Sequence, residues 1–203
     1  MSVESWGVIK AAYHHKDLRN ALIDEVIAML DERGSADLTM RELARRLGVT
    51  HTAPYAHFAD KRELLVAVAD QGFARLADLL ENARKAAPDP LGGLESQGFA
   101  YIRFAREHAN LYRLMFADPE IADDPRCELS PEGERAFGAL AELIATLGTP
   151  EPLVRDTTVA LWAFVHGVAM LEIDRRINGK TMRSGDEIFK LGSQAFIRGL
   201  IPG

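Results

Sequence analysis

A single cysteine, Cys127, stands in 203 residues, so the chain has no intramolecular disulfide framework and suits a reducing compartment. No apolar run reaches the roughly 18 residues that span a bilayer. The N-terminus, MSVESWGVIKAAYHHKDLR, lacks the apolar h-region of a signal peptide, and cytoplasmic residence is the expectation. Also missing are a Gly-rich phosphate loop with its lysine, a G-x-S-x-G elbow, an H-E-x-x-H pair and a convincing pair of carboxylates. These absences argue against an enzyme. Cys127 does not fill the gap, because its acidic neighbours disfavour the thiolate. Nor do the histidines suggest a metal. His51 and His57 lie six apart and point in different directions on a helix, His14 and His15 are adjacent, and no cysteine or acid joins either pair at ligand spacing. No cofactor is expected.

What is present is helix. Apolar residues make up 47% of the chain and charged residues 27%, enough to bury a sizeable core in one domain or two small ones. From Asp17 to about Arg33, apolar residues recur at helical spacing, and Gly34 closes the run. Thr39-Met-Arg-Glu42 is a capping box that opens a helix of barely two turns, with Met40, Leu43, Ala44 and Leu47 inward and Arg41, Arg45 and Arg46 outward. Gly48 stops it. Thr50 is placed to cap a second short helix, His51–Phe58. Asp60-Lys-Arg-Glu63 is a second capping box and starts a long helix to about Ala87, where Pro88 and Pro90 mark a break. Further helices are expected over Leu91–His108, Leu111–Phe116, Pro131–Leu147, Leu153–Ile177 and Glu187–Leu200, the last capped by Ser184. Between them runs the acidic connector 117–130, ADPEIADDPRCELS. The expected fold is all-α with about nine helices: an N-terminal three-helix head and a C-terminal helical bundle. The expected division is 1–60, a connecting helix 61–87, and 88–203.

The net charge of −6 hides an asymmetry. Residues 1–62 balance nine Lys and Arg against nine Asp and Glu, so the whole deficit lies beyond them, while 41–62 carries a surplus of +3. Two short helices joined at Gly48, beside a small basic patch, form a helix-turn-helix. A short second helix with small polar residues at its start can enter a DNA major groove, and its amino end favours phosphate. The alternative is a helical module that packs the same element against protein. Pro54 fits this second helix awkwardly. It removes the amide that would bond the Thr50 carbonyl, and its ring crowds that carbonyl. The helix must therefore begin later or distort its first turn.

The pattern LTMRELARRLGVTHTAPYAHFADKRELL, Leu38 to Leu65, resembles the tetracycline-repressor (TetR) family of transcriptional regulators. The matching residues are Gly48-Val49-Thr50, Tyr55-Ala56-His57-Phe58 and Lys61, and the lead-in YHHKDLR, Tyr13 to Arg19, is similar to one branch of the family. LWAFVHG, Leu161 to Gly167, resembles the Trp…His-Gly element of a TetR-type C-terminal domain. The resemblance implies a double-stranded DNA partner. It implies phosphate contacts from Tyr55, His57, Lys61 and Thr39, and base-edge positions for His51, Thr52 and Ala53, with Thr50 at the start of the element. Phe58 should be core. Arg41 and Arg46, with Arg45, are candidate backbone contacts, the alternative being a solvated arginine face.

Two expectations concern the second half. Tyr101, Phe104, Tyr112, Met115, Phe116, Phe137, Trp162 and His166 combine apolar walls with polar anchors and are candidates for a small-molecule effector pocket, the alternative being ordinary packing. Leu161, Val165, Val168, Leu171, Ile188, Leu191, Gly192, Ala195 and Phe196 could pair with their copies across a two-fold axis, or else serve only the intramolecular core. A homodimer would read a palindromic operator, and the resemblance implies the same interface. The reading as a whole is a sequence-specific regulator, a repressor released by its effector.

Overall fold

The computed structural model describes residues 15–33, 38–124, 126, 130–177 and 180–200. Eight α-helices and one 3₁₀ turn carry them: α1 His15–Arg33, α2 Met40–Arg46, the 3₁₀ turn Ala53–Ala56, α3 Lys61–Ala86, α4 Pro90–Glu107, α5 Ala109–Ala117, α6 Pro131–Thr146, α7 Glu151–Ile173 and α8 Gly185–Leu200. The all-α expectation holds. Gly34 and Cys127 lie outside the described residues, as does His14.

The helix starts follow their caps. Thr39 Oγ1 accepts from the Glu42 amide at 3.2 Å, but the return half of that box is missing because the Glu42 carboxylate turns to Arg45. Asp60 accepts from the Glu63 amide at 2.8 Å, and Glu63 reaches back one residue further than a capping box requires, to the Ala59 amide. Only Ser184 and Glu187 close the full reciprocal pair. At the end of α2, Gly48 takes φ +66°, which lets the Val49 amide return to the Ala44 carbonyl and turns the chain sharply.

Two elements differ from the sequence expectation. The second short helix is reduced to a 3₁₀ turn. The Thr50 carbonyl is bonded by the Ala53 amide, three residues on, because Pro54 has no amide to offer it. Thr50 caps nothing; its hydroxyl lies 3.3 Å from that of Thr52. Helix α7 stops at Ile173, four residues early. There the Arg176 amide bonds the Leu171 carbonyl around Arg175, whose φ of +56° is unusual for a residue other than glycine. No glycine or proline announces that end.

A continuous buried cluster runs from the head to the body. In the head it holds Leu22, Val26, Leu30, Leu43, Phe58 and Leu64; in the body Ile102, Leu111, Tyr112 and Ala169. Helix α3 is the shared member. Its first turns give Leu64, Leu65 and Val68 to the head, and it packs most heavily on α4 and α6 in the body. A second cluster, Leu94, Leu143, Ile144 and Leu161, closes the far end. By length and composition α7 could cross a membrane, a property the run-length reading had not suggested. In the structure it packs against α4, α6 and α8, burying Leu161, Val165 and Val168 and leaving Leu153, Val159 and Leu171 exposed.

Candidate nucleic-acid interface and internal cavity

The loop-and-turn segment 50–57 is held from beneath. Pro54 and Phe58 are buried, Phe58 to 1% exposure, and the Arg19 guanidinium lies over the Phe58 ring at 5.1 Å. Above this anchor Thr50, His51, Thr52 and Tyr55 face outward, Tyr55 at 53% exposure. Thr39 and Arg41 are also exposed, whereas Ala53 and His57 are half-buried, and Ala53 packs against the head core. The structure thus brings hydroxyl, imidazole and phenol groups to the exposed side of a segment anchored by Pro54 and Phe58.

The basic patch is nearly all paired. Arg45 binds Glu42 through two hydrogen bonds of 2.8 and 2.7 Å, and this guanidinium holds the Glu42 carboxyl down to about 2. Arg46 reaches back to α1, where Glu25 and Glu32 accept from it at 3.1 and 2.5 Å. That placement corrects the expectation for Arg46. It is a tie between α2 and α1, and three carboxylates, Glu25, Glu32 and Glu42, surround its charge, against the single one that Lys61 meets, so it has little to offer a phosphate. Lys61 Nζ lies 2.8 Å from Glu120, and Arg62 lies 2.8 and 3.2 Å from Asp123 and Asp124. Arg126 also binds Asp124, and these cations together press its carboxyl well below the usual range. Arg41 is the cation of the patch that forms no ion pair among the described residues.

Glu120, Asp123 and Asp124 thus tie segment 118–124 to the first turn of α3. The segment's other side faces a partly open cavity of about 510 Å³ lined by α3 to α8, where Asp118, Ile121 and Ala122 form part of the wall. The remaining wall includes Phe73, Leu76 and Leu80 of α3, Leu94, Gln97, Gly98 and Tyr101 of α4, and Met115 and Phe116 of α5. Phe137 of α6, Trp162 of α7 and Phe189 of α8 complete it. Gly98 matters here: a β-carbon at that position would sit 1.9 Å from the Phe189 ring.

Five of the eight expected pocket residues line this space: Tyr101, Met115, Phe116, Phe137 and Trp162. Three do not. Phe104 is enclosed in the core with its ring 5.2 Å from that of His108. Tyr112 and His166 stand behind Tyr101. The Tyr112 hydroxyl donates to that of Tyr101 at 3.0 Å, His166 Nδ1 lies 3.1 and 2.7 Å from the two phenol oxygens, and Trp162 Nε1 donates to Tyr101 at 3.2 Å. Burial raises the Tyr101 phenol to about 12, raises that of Tyr112 further, and lowers the His166 imidazole. All three groups are neutral at pH 7, and they saturate one another. The sequence reading missed Gln97 and the α3 wall. A signal existed for the first: Leu94, Gln97, Gly98 and Tyr101 share one helical face, on which a glutamine and a glycine interrupt apolar residues.

The residues expected at a dimer interface divide in two. Leu161, Val165 and Val168 are 4–6% exposed within the single chain, and the first two line the cavity. That corrects their assignment, since their surface is already covered. Gly192 is small for an intramolecular reason: the Phe164 ring would lie 2.1 Å from a β-carbon there. Ile188 and Phe196 are half-buried, while Leu171, Leu191 and Ala195 remain exposed, the two leucines at 50% and 60%.

Comparison with known proteins agrees with this geometry. The family described as "Bacterial regulatory proteins, tetR family" matches residues 22–68, and the "Tetracyclin repressor-like, C-terminal domain" matches residues 94–196. An uncharacterized HTH-type transcriptional regulator of Haemophilus influenzae is 30% identical over 109 residues, which is 53% of each chain. The chain thus spans about half the length of that relative. A protein of unknown function from Rhodococcus sp. RHA1 superposes with a TM-score of 0.78 at 29% identity, over 95% of this chain and all of its own. BioQ bound to its natural double-stranded DNA operator superposes with a TM-score of 0.61 at 26% identity, over 92% of this chain and 97% of its own.

Proposed function

We propose, for a chain that belongs to the TetR family of bacterial regulatory proteins, that the outer face of segment 50–57 binds operator DNA and that the internal cavity takes the effector that releases it. The protein is a DNA-binding transcriptional regulator acting in the cytoplasm as a repressor, and it performs no catalysis. The observation that carries this reading is the outward face itself, with exposed His51, Thr52 and Tyr55 mounted on buried Pro54 and Phe58. Tyr55, His57, Thr39 and Lys61 contact phosphates, with Arg41 as an outer contact. His51 and Thr52 meet base edges, and half-buried Ala53 allows the backbone to approach them closely. Thr50 opens the element without capping it. BioQ, similar in fold, is known with its operator, which supports a DNA partner.

Two copies are needed to read a palindrome, because one short element covers few base pairs. We assign the pairing face to exposed Leu171, Leu191 and Ala195 on α7 and α8, with Ile188 and Phe196 at its edge. Residues 1–60 act as the head, 61–87 as the connection and 88–203 as the effector and dimer domain. Its Trp162…His166-Gly167 element holds the cavity wall through the hydrogen bonds to Tyr101.

Coupling follows from the acidic segment. Glu120 and Asp123 hold Lys61 and Arg62 at the start of α3, while Ile121 and Asp118 face the cavity. A molecule that binds better to one position of this segment shifts the population of head positions by its differential affinity.

The test is selection of binding fragments from sheared genomic DNA, then titration of the best fragment at two salt concentrations. The expected result is a palindromic site whose affinity falls steeply with salt, the slope being about −0.9 per phosphate contacted. Tyr55→Phe should weaken all sequences alike, and Thr52→Ala should change the preference among operator variants. A folded dimer that enriches no site would overturn the reading in favour of a protein-interaction module.

A further inference from the structure

Most cations of the head are neutralised within the protein. Between residues 15 and 75, Arg45, Arg46, Lys61, Arg62 and Arg75 all meet carboxylates. Arg41 and Arg19 form no ion pair among the described residues, although the chain carries a net charge of −6 and acids are plentiful. Arg41 already has a place as an outer DNA contact. Arg19, on α1, lies outside the basic patch of the sequence and has no role yet beyond its contact with Phe58.

Its position follows from three contacts along α1. The Leu30 carbonyl accepts from the Asn110 amide of α5 at 2.8 Å. Asp24 lies 3.0 Å from Arg75 of α3. The Arg19 guanidinium lies 5.1 Å from the centre of the Phe58 ring. These contacts step away from the body. From Leu30 to Arg19 the helix rises about 16 Å, so Arg19 stands at the end of the head remote from α5, against the residue that closes segment 50–57.

The contact with Phe58 fixes where this charge sits without neutralising it. A guanidinium has five N–H donors in one plane. Those of Arg19 find no acceptor among the described residues, and the residue is exposed, so they are turned to solvent. A planar fork of donors held beside a DNA-facing element matches the paired oxygens of a phosphate.

We propose that Arg19 is a phosphate contact of the head, a cation that α1 delivers to the DNA backbone beside segment 50–57 and that Phe58 holds in place. This rests on the reading of that segment as the DNA-facing element. The contact adds affinity and register but reads no base.

The test is titration of the selected operator, and of a scrambled duplex of equal length, over a range of salt concentrations. On a palindrome bound by two heads, Arg19→Gln should make the salt slope shallower by about 1.8 and weaken binding about 30-fold at 0.15 M salt. The scrambled duplex should show the same direction of change. Arg19→Lys keeps the charge and should keep the slope, with a loss of under about fivefold. An unchanged slope and affinity in Arg19→Gln would overturn the assignment. Weaker binding at an unchanged slope would make Arg19 a support for Phe58 only, and loss confined to the operator would make it a base reader. A slope lost equally in Arg19→Lys would also count against a charge contact. A wild type that binds neither duplex sinks the operator reading and this assignment together. A wild type that binds with steep salt dependence, beside an Arg19→Gln variant that binds identically, sinks the assignment alone.

Discussion

The head and the body of this protein solve packing in opposite ways. In the head, Leu22, Val26, Leu30, Leu43 and Leu64 have no exposed surface, and the exposed polar side chains of segment 50–57, with Thr39 and Arg41, lie outside that core. In the body, six helices line a partly open cavity of about 510 Å³. A filled core transmits displacement as a unit because it has few alternative packings. A hollow one can hold two arrangements close in free energy, with occupancy deciding between them. The contrast teaches where a signal can enter and where it can only be carried.

The largest test removes the head's anchor. Phe58→Ala should cost about 3–5 kcal/mol by denaturant unfolding, because the head has no slack to collapse into the gap. Ala136→Leu, on the cavity wall, should cost less than about 1 kcal/mol or stabilise, since it grows into existing space. Equal costs would erase the contrast between a solid head and a hollow body.

Next comes the outer apolar face. Leu191→Glu combined with Leu171→Glu should shift sedimentation to the monomer at micromolar concentration while leaving the helical content intact, because both side chains are exposed in the single chain. Val165→Glu, at a buried position, should unfold the body instead. An unchanged dimer in the double variant would move the interface elsewhere.

Two arginines sharpen the account of the head. Arg46→Gln should lower the urea midpoint, since Glu25 and Glu32 lose their partner. Arg41→Gln should leave the midpoint unchanged and weaken operator binding at low salt. A reversal of these two phenotypes would exchange their roles.

The smallest effect is a pH dependence in the body. Desolvation depresses the folded-state His166 pKa below the ordinary value of about 6.5. Its contribution to stability is therefore present above about pH 6.5 and is lost as the pH falls below that value toward the folded pKa, because the unfolded state binds the proton first. The fall in melting temperature between pH 7 and 5 should be shallower in His166→Gln. An identical slope would show that the imidazole titrates freely.

Much of this was legible along the chain. Thr39, Asp60 and Ser184 sit in front of apolar periodicity, and each caps the helix it introduces. Pro54 forecast a displaced or distorted turn, because a missing amide acts locally whatever surrounds it. Leu161 and Leu191, by contrast, read alike as apolar residues at helical spacing, yet one is 4% and the other 60% exposed. Periodicity identifies an apolar face but not what covers it. Arg46 illustrates the same limit for charge, since its partners lie 14 and 21 residues away on another helix.

The sequence by itself determined most of the helices, the caps at Thr39, Asp60 and Ser184, the turn at Gly48 and the family of the head, since capping, periodicity and backbone sterics act over a few residues. Tertiary structure alone decided which cations are neutralised, that 118–124 ties the cavity wall to the start of α3, and that Gln97 Oε1 has no partner among the described residues. Each of these is a meeting of groups far apart in the chain, and whether a polar atom is satisfied depends on everything packed around it.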